Sequence, residues 1–238
     1  MKKIVISGAT GAIGMALIEK CLNEGIQILV LCNPDSSRKE RIPKNPLITV
    51  VSCGLAEMHD WDYSGEKDWD AFYHLAWLAP IGCGRNDLYT QTKNINYTLD
   101  AVHLAHRLGC TTFIGAGSQA EYGRYHGKLS ADVPAFPETG YGIAKLCAGQ
   151  MSRIECHKLG IRHVWPRILS IYGPYDGQQT MIISTIRKLL NGEKPALTQG
   201  IQQWDYLYSS DAANALLLLG EKGIDGKVYC VGSGQSFA

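Results

Sequence analysis

A short apolar run that breaks into glycine near the start of this 238-residue chain constrains its fold more than any other stretch. Residues 3–14 read KIVISGATGAIG. Ile4, Val5 and Ile6 form a β-branched run, Ser7 and Gly8 end it, and a helical apolar spacing (Ile13, Ala16, Leu17, Cys21) begins at once. The pattern is a strand, a glycine turn and a helix. Gly8, Gly11 and Gly14 suit a tight bend, close approach of backbone to a pyrophosphate, and close packing of helix on strand. The N–H groups of the first helical turn then face the phosphates. The stretch predicts a dinucleotide site to which Thr10, Ala12 and Ile13 contribute beside the three glycines.

The remaining chain continues the alternation. Gly25 closes the first helix, and residues 27–31 read as a second strand. Apolar runs at 47–52, 71–76 and 111–116 supply three more strands. Helical patterns cover 87–108, ended by Gly109, and 140–159. This order predicts an α/β fold with a doubly wound parallel sheet of the Rossmann type, its ligands at the carboxyl ends of the strands. Residues 1–165 are expected to form the dinucleotide-binding domain. Residues 166–238 are expected to supply a small substrate lobe, interleaved with the last sheet strands and, in one reading, incomplete.

The end of the second strand bears on the cofactor. Folds that select NAD place an Asp or Glu about 20 residues after the glycines, on the ribose hydroxyls, whereas NADP needs cationic and hydroxyl groups there. Cys32 takes the acidic position here, and Ser36, Ser37, Arg38 and Lys39 follow within reach of a 2′-phosphate. NADP(H) is therefore preferred over NAD(H). In the alternative, Arg38 and Lys39 start a solvated helix and Asp35 takes the ribose. Asn33, Ser37, Arg38 and Leu55, with Leu75 and Ala76 after the fourth strand, complete the expected cofactor set. Residues 53–55 would cover the adenine, and residues 78–86 would lie near the nicotinamide.

The fifth strand delivers Ser118, and the helix that follows carries Tyr141 and Lys145, four apart and so on one face. Together they support general acid–base work on a carbinol or carbonyl. A free Tyr titrates near ~10, and a cation a few ångströms away lowers that by roughly one to three units. Lys145 is expected to supply that field and to reach the ribose, while Ser118 hydrogen-bonds the substrate oxygen. His74, inside the fourth strand, reads as a packed core residue.

A net charge of +1 offers no electrostatic footprint for nucleic acid or an anionic membrane. No window approaches ~18 uninterrupted apolar residues, and Met1 leads straight into a strand, so a cytoplasmic protein is expected. Eight cysteines form no C-x-x-C pair and read as buried thiols rather than metal ligands, with Cys83 the most exposed.

The segments GATGAIG, YHLAW, GSQAEYG, YGIAK (141–145), RILSIYGP (167–174) and WDYLYSSD (204–211) resemble the extended short-chain dehydrogenase/reductases, specifically the NAD-dependent epimerase/dehydratase group acting on nucleotide sugars. The resemblance spans essentially the whole chain. It implies Gly8, Gly11 and Gly14 at the pyrophosphate, Ser118 and Tyr141 at the reacting carbon, and Lys145 on Tyr141 and the ribose. It also implies an Asn at 94 under the catalytic strand, a Ser at 170 in place of a commoner Asn, and a homodimer through helices 87–108 and 140–159.

Three departures qualify it. Gln119 and Ala120 stand where 4,6-dehydratases resembling this chain carry Asp-Glu, the acid and base that losing water needs, so dehydration is not expected. Trp204 stands where 4-epimerases have an Arg on the diphosphate, so either another cation, Arg167, Arg187 or Lys188, substitutes or the substrate is not a typical UDP-sugar. The chain stops at Ala238, where relatives continue, and residues 216–219 are expected to be partly uncovered. The function implied is hydride transfer at a sugar carbonyl, by 4-keto reduction or C4 epimerisation, on a nucleotide-sugar substrate. The competing class, a non-catalytic NAD(P)-binding sensor or scaffold, fits an intact Ser-Tyr-Lys set poorly.

Overall fold

Successive side chains of each central strand drop into two different cores. The computed structural model describes residues 1–238. In chain order the elements are β1 (Lys3–Ser7), α1 (Ala12–Asn23), β2 (Gln27–Cys32), β3 (Ile48–Ser52), β4 (Ala71–His74), α2 (Leu88–Arg107), β5 (Thr112–Gly115), β6 (Gly117–Ser118), α3 (Gly140–Lys158), β7 (Arg162–Ile168), β8 (Ser170–Tyr172), α4 (Met181–Leu190), β9 (Tyr206–Tyr208), α5 (Ser209–Lys222) and β10 (Lys227–Val231). The main sheet runs β3-β2-β1-β4-β5-β7-β10, with β6 beside β7, and every pairing is parallel. The order reverses between β1 and β4, which opens a crevice at their carboxyl ends.

Ile4 and Ile6 of β1, with Ile28 and Val30 of β2, meet Leu17 and Ile18 of α1 and Leu216 and Leu217 of α5. Val5, Leu29, Leu31 and Phe72 point to the opposite core, against Ala101, Val102 and Leu104 of α2. Each such side chain, wholly withdrawn from water, contributes roughly 2 kcal/mol. A parallel sheet covered on both faces follows from apolar residues at consecutive strand positions.

Local chemistry sets several boundaries. Asp87 caps α2, accepting the Thr90 N–H at 3.4 Å, and Thr139 caps α3, accepting the Gly142 N–H at 3.1 Å. The expected fourth strand, 71–76, is observed at Ala71–His74; the Leu75 N–H still donates to the Ser7 C=O at 3.0 Å, and farther on the Leu78 N–H and C=O are taken by the Asn94 side chain. The expected fifth strand, 111–116, is observed as β5, ending at Gly115 with β6 following at Gly117, and the Trp165 indole lies so close to Gly115 that a Cβ there would stand 2.2 Å from it.

Residues 216–219 are partly uncovered: Leu216 and Leu217 are 0% and 3% exposed where α5 packs beside α1, whereas Leu218 is 50% exposed and Leu219 partly buried. Away from the main sheet, β8 and β9 form a two-stranded parallel sheet, and α4 carries no buried residue. No helix is long and apolar enough to cross a membrane. Cys83 is exposed, while Cys21, Cys32, Cys53, Cys110 and Cys156 are buried free thiols.

Candidate active site

The crevice at the sheet switch point opens into a cleft of about 880 Å³. Gly8, Thr10, Gly11 and Ile13 form its floor, Asn33, Ser37, Arg38 and Leu55 one end, and Leu75, Ala76, Ser118, Tyr141 and Lys145 the other. Of the expected cofactor residues, Ala12 and Gly14 do not line it. The glycines differ in what they serve. Gly8 has φ +77°, and a Cβ there would lie 2.5 Å from the Ala76 backbone nitrogen; a Cβ on Gly14 would lie 2.6 Å from the Ala9 Cα. At Gly11 a Cβ would meet nothing nearer than the Gly8 carbonyl at 3.8 Å. The fold itself does not require glycine there, which suits a site where a ligand approaches the backbone. Behind it, α1 has no side-chain cap and no acidic residue in its first turn, and its helical bonding begins with the Met15 N–H on the Gly11 C=O at 2.9 Å. The preceding N–H groups are available to an anion. A pyrophosphate fits these residues.

At the other end of β2, Cys32 is buried, and Asn33, Ser36, Ser37 and Arg38 line the cleft together with Asp35. The Asp35 N–H is turned onto the Asn33 side-chain oxygen at 3.0 Å.

Two buried amides on α2 hold the far wall. Asn94 accepts the Leu78 N–H at 2.8 Å and donates to the Leu78 C=O at 3.0 Å. Gln91 accepts the Trp77 indole N–H at 2.9 Å and donates to the carbonyls of Ala79 at 3.1 Å and Gly84 at 2.9 Å. Sequence reasoning singled out Asn94 and missed Gln91 and Trp77. The available signal was two amides three apart on an otherwise apolar helix face.

Ser118, Tyr141 and Lys145 do converge on the cleft. The Ser118 N–H donates to Glu121 at 2.8 Å, and its hydroxyl accepts the Ala120 N–H at 3.2 Å, which fixes the side chain at the cleft edge. Lys145 is 4% exposed and donates to the Ala116 C=O at 2.6 Å. Its ammonium lies 3.7 Å from the Trp77 ring centroid and 5.8 Å from that of Tyr141. Burial lowers the Lys145 pKa to about 7, against an upward pull from Glu121.

The expected depression of the Tyr141 pKa by Lys145 is not found. Burial raises it; the Ser118 hydroxyl and the Arg85 charge pull it down, and Glu121 pushes it up. Arg85, which the sequence did not single out, stacks on Tyr141 with its Cζ 4.3 Å from the ring centroid. His74 is a core residue, as expected. It is 3% exposed and bonded to Ser7 at 2.9 Å, and burial holds its pKa near 3.

On the substrate side, Arg167 cannot serve as a free diphosphate clamp. It is 6% exposed, paired with Glu121 at 2.8 Å and stacked on Tyr122. Arg187 and Lys188 are exposed on α4. Gln119 donates to the Ser170 hydroxyl at 3.1 Å, and Asp205 accepts the N–H groups of Ser233 at 2.7 Å and Gly234 at 2.8 Å.

This chain is similar to an uncharacterized UDP-glucose epimerase, YtcB, of Bacillus subtilis, 24% identical over 255 residues that cover 98% of the chain and 77% of that relative. A putative UDP-glucose 4-epimerase of Methanocaldococcus jannaschii is 22% identical over 222 residues, 90% of the chain and 72% of the relative. The fold is shared with a UDP-N-acetylglucosamine 4-epimerase from Methanobrevibacter ruminantium in complex with UDP-N-acetylmuramic acid, at TM-score 0.85 and 22% identity, covering 99% of this chain and 77% of that one. It is also shared with a UDP-glucuronic acid 4-epimerase from Bacillus cereus in complex with NAD, at TM-score 0.83 and 21% identity, covering 99% and 78%. Residues 4–232 match the NAD dependent epimerase/dehydratase family, and the chain belongs to that family.

Proposed function

We propose that the protein transfers hydride at the carbonyl carbon of a nucleotide sugar, by 4-keto reduction or C4 epimerisation, with Tyr141 as the acid/base. The observation that carries this reading is the meeting of Ser118 and Tyr141 at one end of a cleft whose floor is the glycine loop. Gly8, Gly11 and the first N–H groups of α1 would hold the pyrophosphate of a nicotinamide dinucleotide. Bound there, that group supplies hydride acceptance and donation. Tyr141 takes the proton of the sugar hydroxyl as the carbonyl forms and returns it in reduction. Ser118 hydrogen-bonds the same oxygen, and Lys145 would reach the ribose.

Ser37 and Arg38, at the β2 end of the cleft, favour NADP(H) over NAD(H), although the Bacillus cereus neighbour holds NAD. Gln119 and Ala120 provide no acid–base pair for dehydration. Ile143, Met151 and Ile154 leave an exposed apolar stripe on α3, which suits a homodimer through α2 and α3.

The test is a panel of 4-keto and 4-hydroxy nucleotide sugars with NADPH or NAD⁺. Reduction shows as loss of reduced-cofactor absorbance, and epimerisation as sugar interconversion without net loss. Dinucleotide binding with neither outcome would identify a sensor and overturn the reading.

A further inference from the structure

We propose that Arg85 is the positioning residue of this site: its guanidinium, laid over the face of the Tyr141 ring, fixes the ring's direction and favours its anionic form. The Tyr-Lys spacing assigns that task to Lys145. The inference rests on Tyr141 being the acid/base.

The ring of Tyr141 is held from two sides. The Arg85 Cζ stands 4.3 Å from its centroid, and the Trp77 indole packs nearly perpendicular to it, at 82° with the centroids 5.9 Å apart. Arg85 is itself held in place. Its Nη1 donates to the Pro80 C=O at 3.1 Å, and the carbonyl of the preceding residue, Gly84, accepts from Gln91 at 2.9 Å. The side chain of the following residue, Asn86, accepts the Gly140 N–H at 3.0 Å, one position before Tyr141. The loop and the start of α3 are thus one unit, and the guanidinium sits over the phenol ring because both ends of that unit are bonded.

Lys145 is placed for other work. Its ammonium donates to the Ala116 C=O at 2.6 Å and lies nearer the Trp77 face, at 3.7 Å, than the Tyr141 ring, at 5.8 Å. Four groups bear on the phenol: Arg85 from the 82–86 turn, Ser118 and Glu121 from the turn after β6, and Lys145 from its own helix. The Glu121 charge is offset by Arg167 at 2.8 Å. Arg85 makes no ion pair with any carboxylate, so no counter-charge neutralises it beside the ring. A guanidinium also stays charged at every working pH, whereas Lys145, at about 7, loses half its charge near neutrality. The field that favours the anionic phenol is therefore supplied by the group that does not titrate.

The test follows the Tyr141 ring directly, by NMR of tyrosine-labelled protein with the signal assigned by Tyr141→Phe, in the wild type, Arg85→Gln and Arg85→Lys, with and without bound NAD. The pH profile of turnover is measured beside it. Arg85→Gln is expected to raise the phenol midpoint by about one unit and to move the turnover profile with it, while Arg85→Lys, which keeps the charge, stays near wild type. A phenol that titrates unchanged in Arg85→Gln, or one that shifts as far in Arg85→Lys, overturns the role of Arg85 and leaves that of Tyr141 standing. A shifted phenol beside an unshifted turnover profile removes Tyr141 from the chemistry, and the proposal with it.

Discussion

The indole N–H of Trp77 donates to the side-chain oxygen of Gln91 at 2.9 Å, and the ring so fixed carries Lys145 on its face and packs nearly perpendicular to Tyr141. One buried amide on α2 therefore sets the positions of two candidate catalytic groups on α3. Gln91 is 2% exposed and also closes the 79–84 loop through two carbonyls. Replacing it with Leu strands those partners. Gln91→Leu is expected to cost roughly 1–3 kcal/mol of stability, read by urea unfolding, and to weaken dinucleotide binding. Unchanged unfolding would show that the loop is held by other means.

Gly11 and Gly14 should separate binding from folding. Gly11→Ala adds a methyl into open space, so the loss of stability stays under about 1 kcal/mol, while dinucleotide affinity falls about tenfold or more, or 1.4 kcal/mol. Gly14→Ala drives its methyl to 2.6 Å from the Ala9 Cα and costs about 1–3 kcal/mol in folding. Thermal unfolding and a binding titration on both variants check the contrast.

Burial places the Lys145 pKa at about 7 in the folded chain, down from 10.5. Between those values the unfolded chain binds more protons, so stability rises with pH above 7. Above pH 9 the buried thiols of Cys21, Cys53 and Cys156, pushed up to about 12, stay protonated while their unfolded counterparts ionise, and stability then falls. The dinucleotide-free protein should therefore gain stability from pH 7 to 9. Lys145→Met should flatten that slope and stabilise the protein at pH 6 by roughly 1–4 kcal/mol, with turnover lost. Denaturant unfolding across this pH range measures it.

Glu121 is 0% exposed and satisfies Ser118, Trp165 and Arg167 at once. Glu121→Ala leaves the Arg167 charge buried without a partner and is expected to destabilise by about 3–5 kcal/mol. Adding Arg167→Met to Glu121→Ala should recover part of that loss in a double-mutant cycle, the Ser118 and Trp165 N–H groups still lacking their acceptor. Additive losses would mean that the two residues act independently.

The sequence by itself determined the architecture and named most of the candidate residues that the cleft brings together. Consecutive apolar strand residues, glycines at strand ends and helical apolar spacing are local signals, and they named β1, β2, α1, α2 and α3 to within a residue or two. Ser118, Tyr141 and Lys145 were legible because motif and order travel with the chain. Tertiary structure alone decided which cation serves which group. Arg85 reaches Tyr141 from 56 positions away in the chain, the Lys145 ammonium lies nearer the Trp77 ring than the Tyr141 ring, and Arg167 is taken by Glu121. Such pairings depend on distances of a few ångströms and on how much water burial removes, and both arise only once separate segments pack.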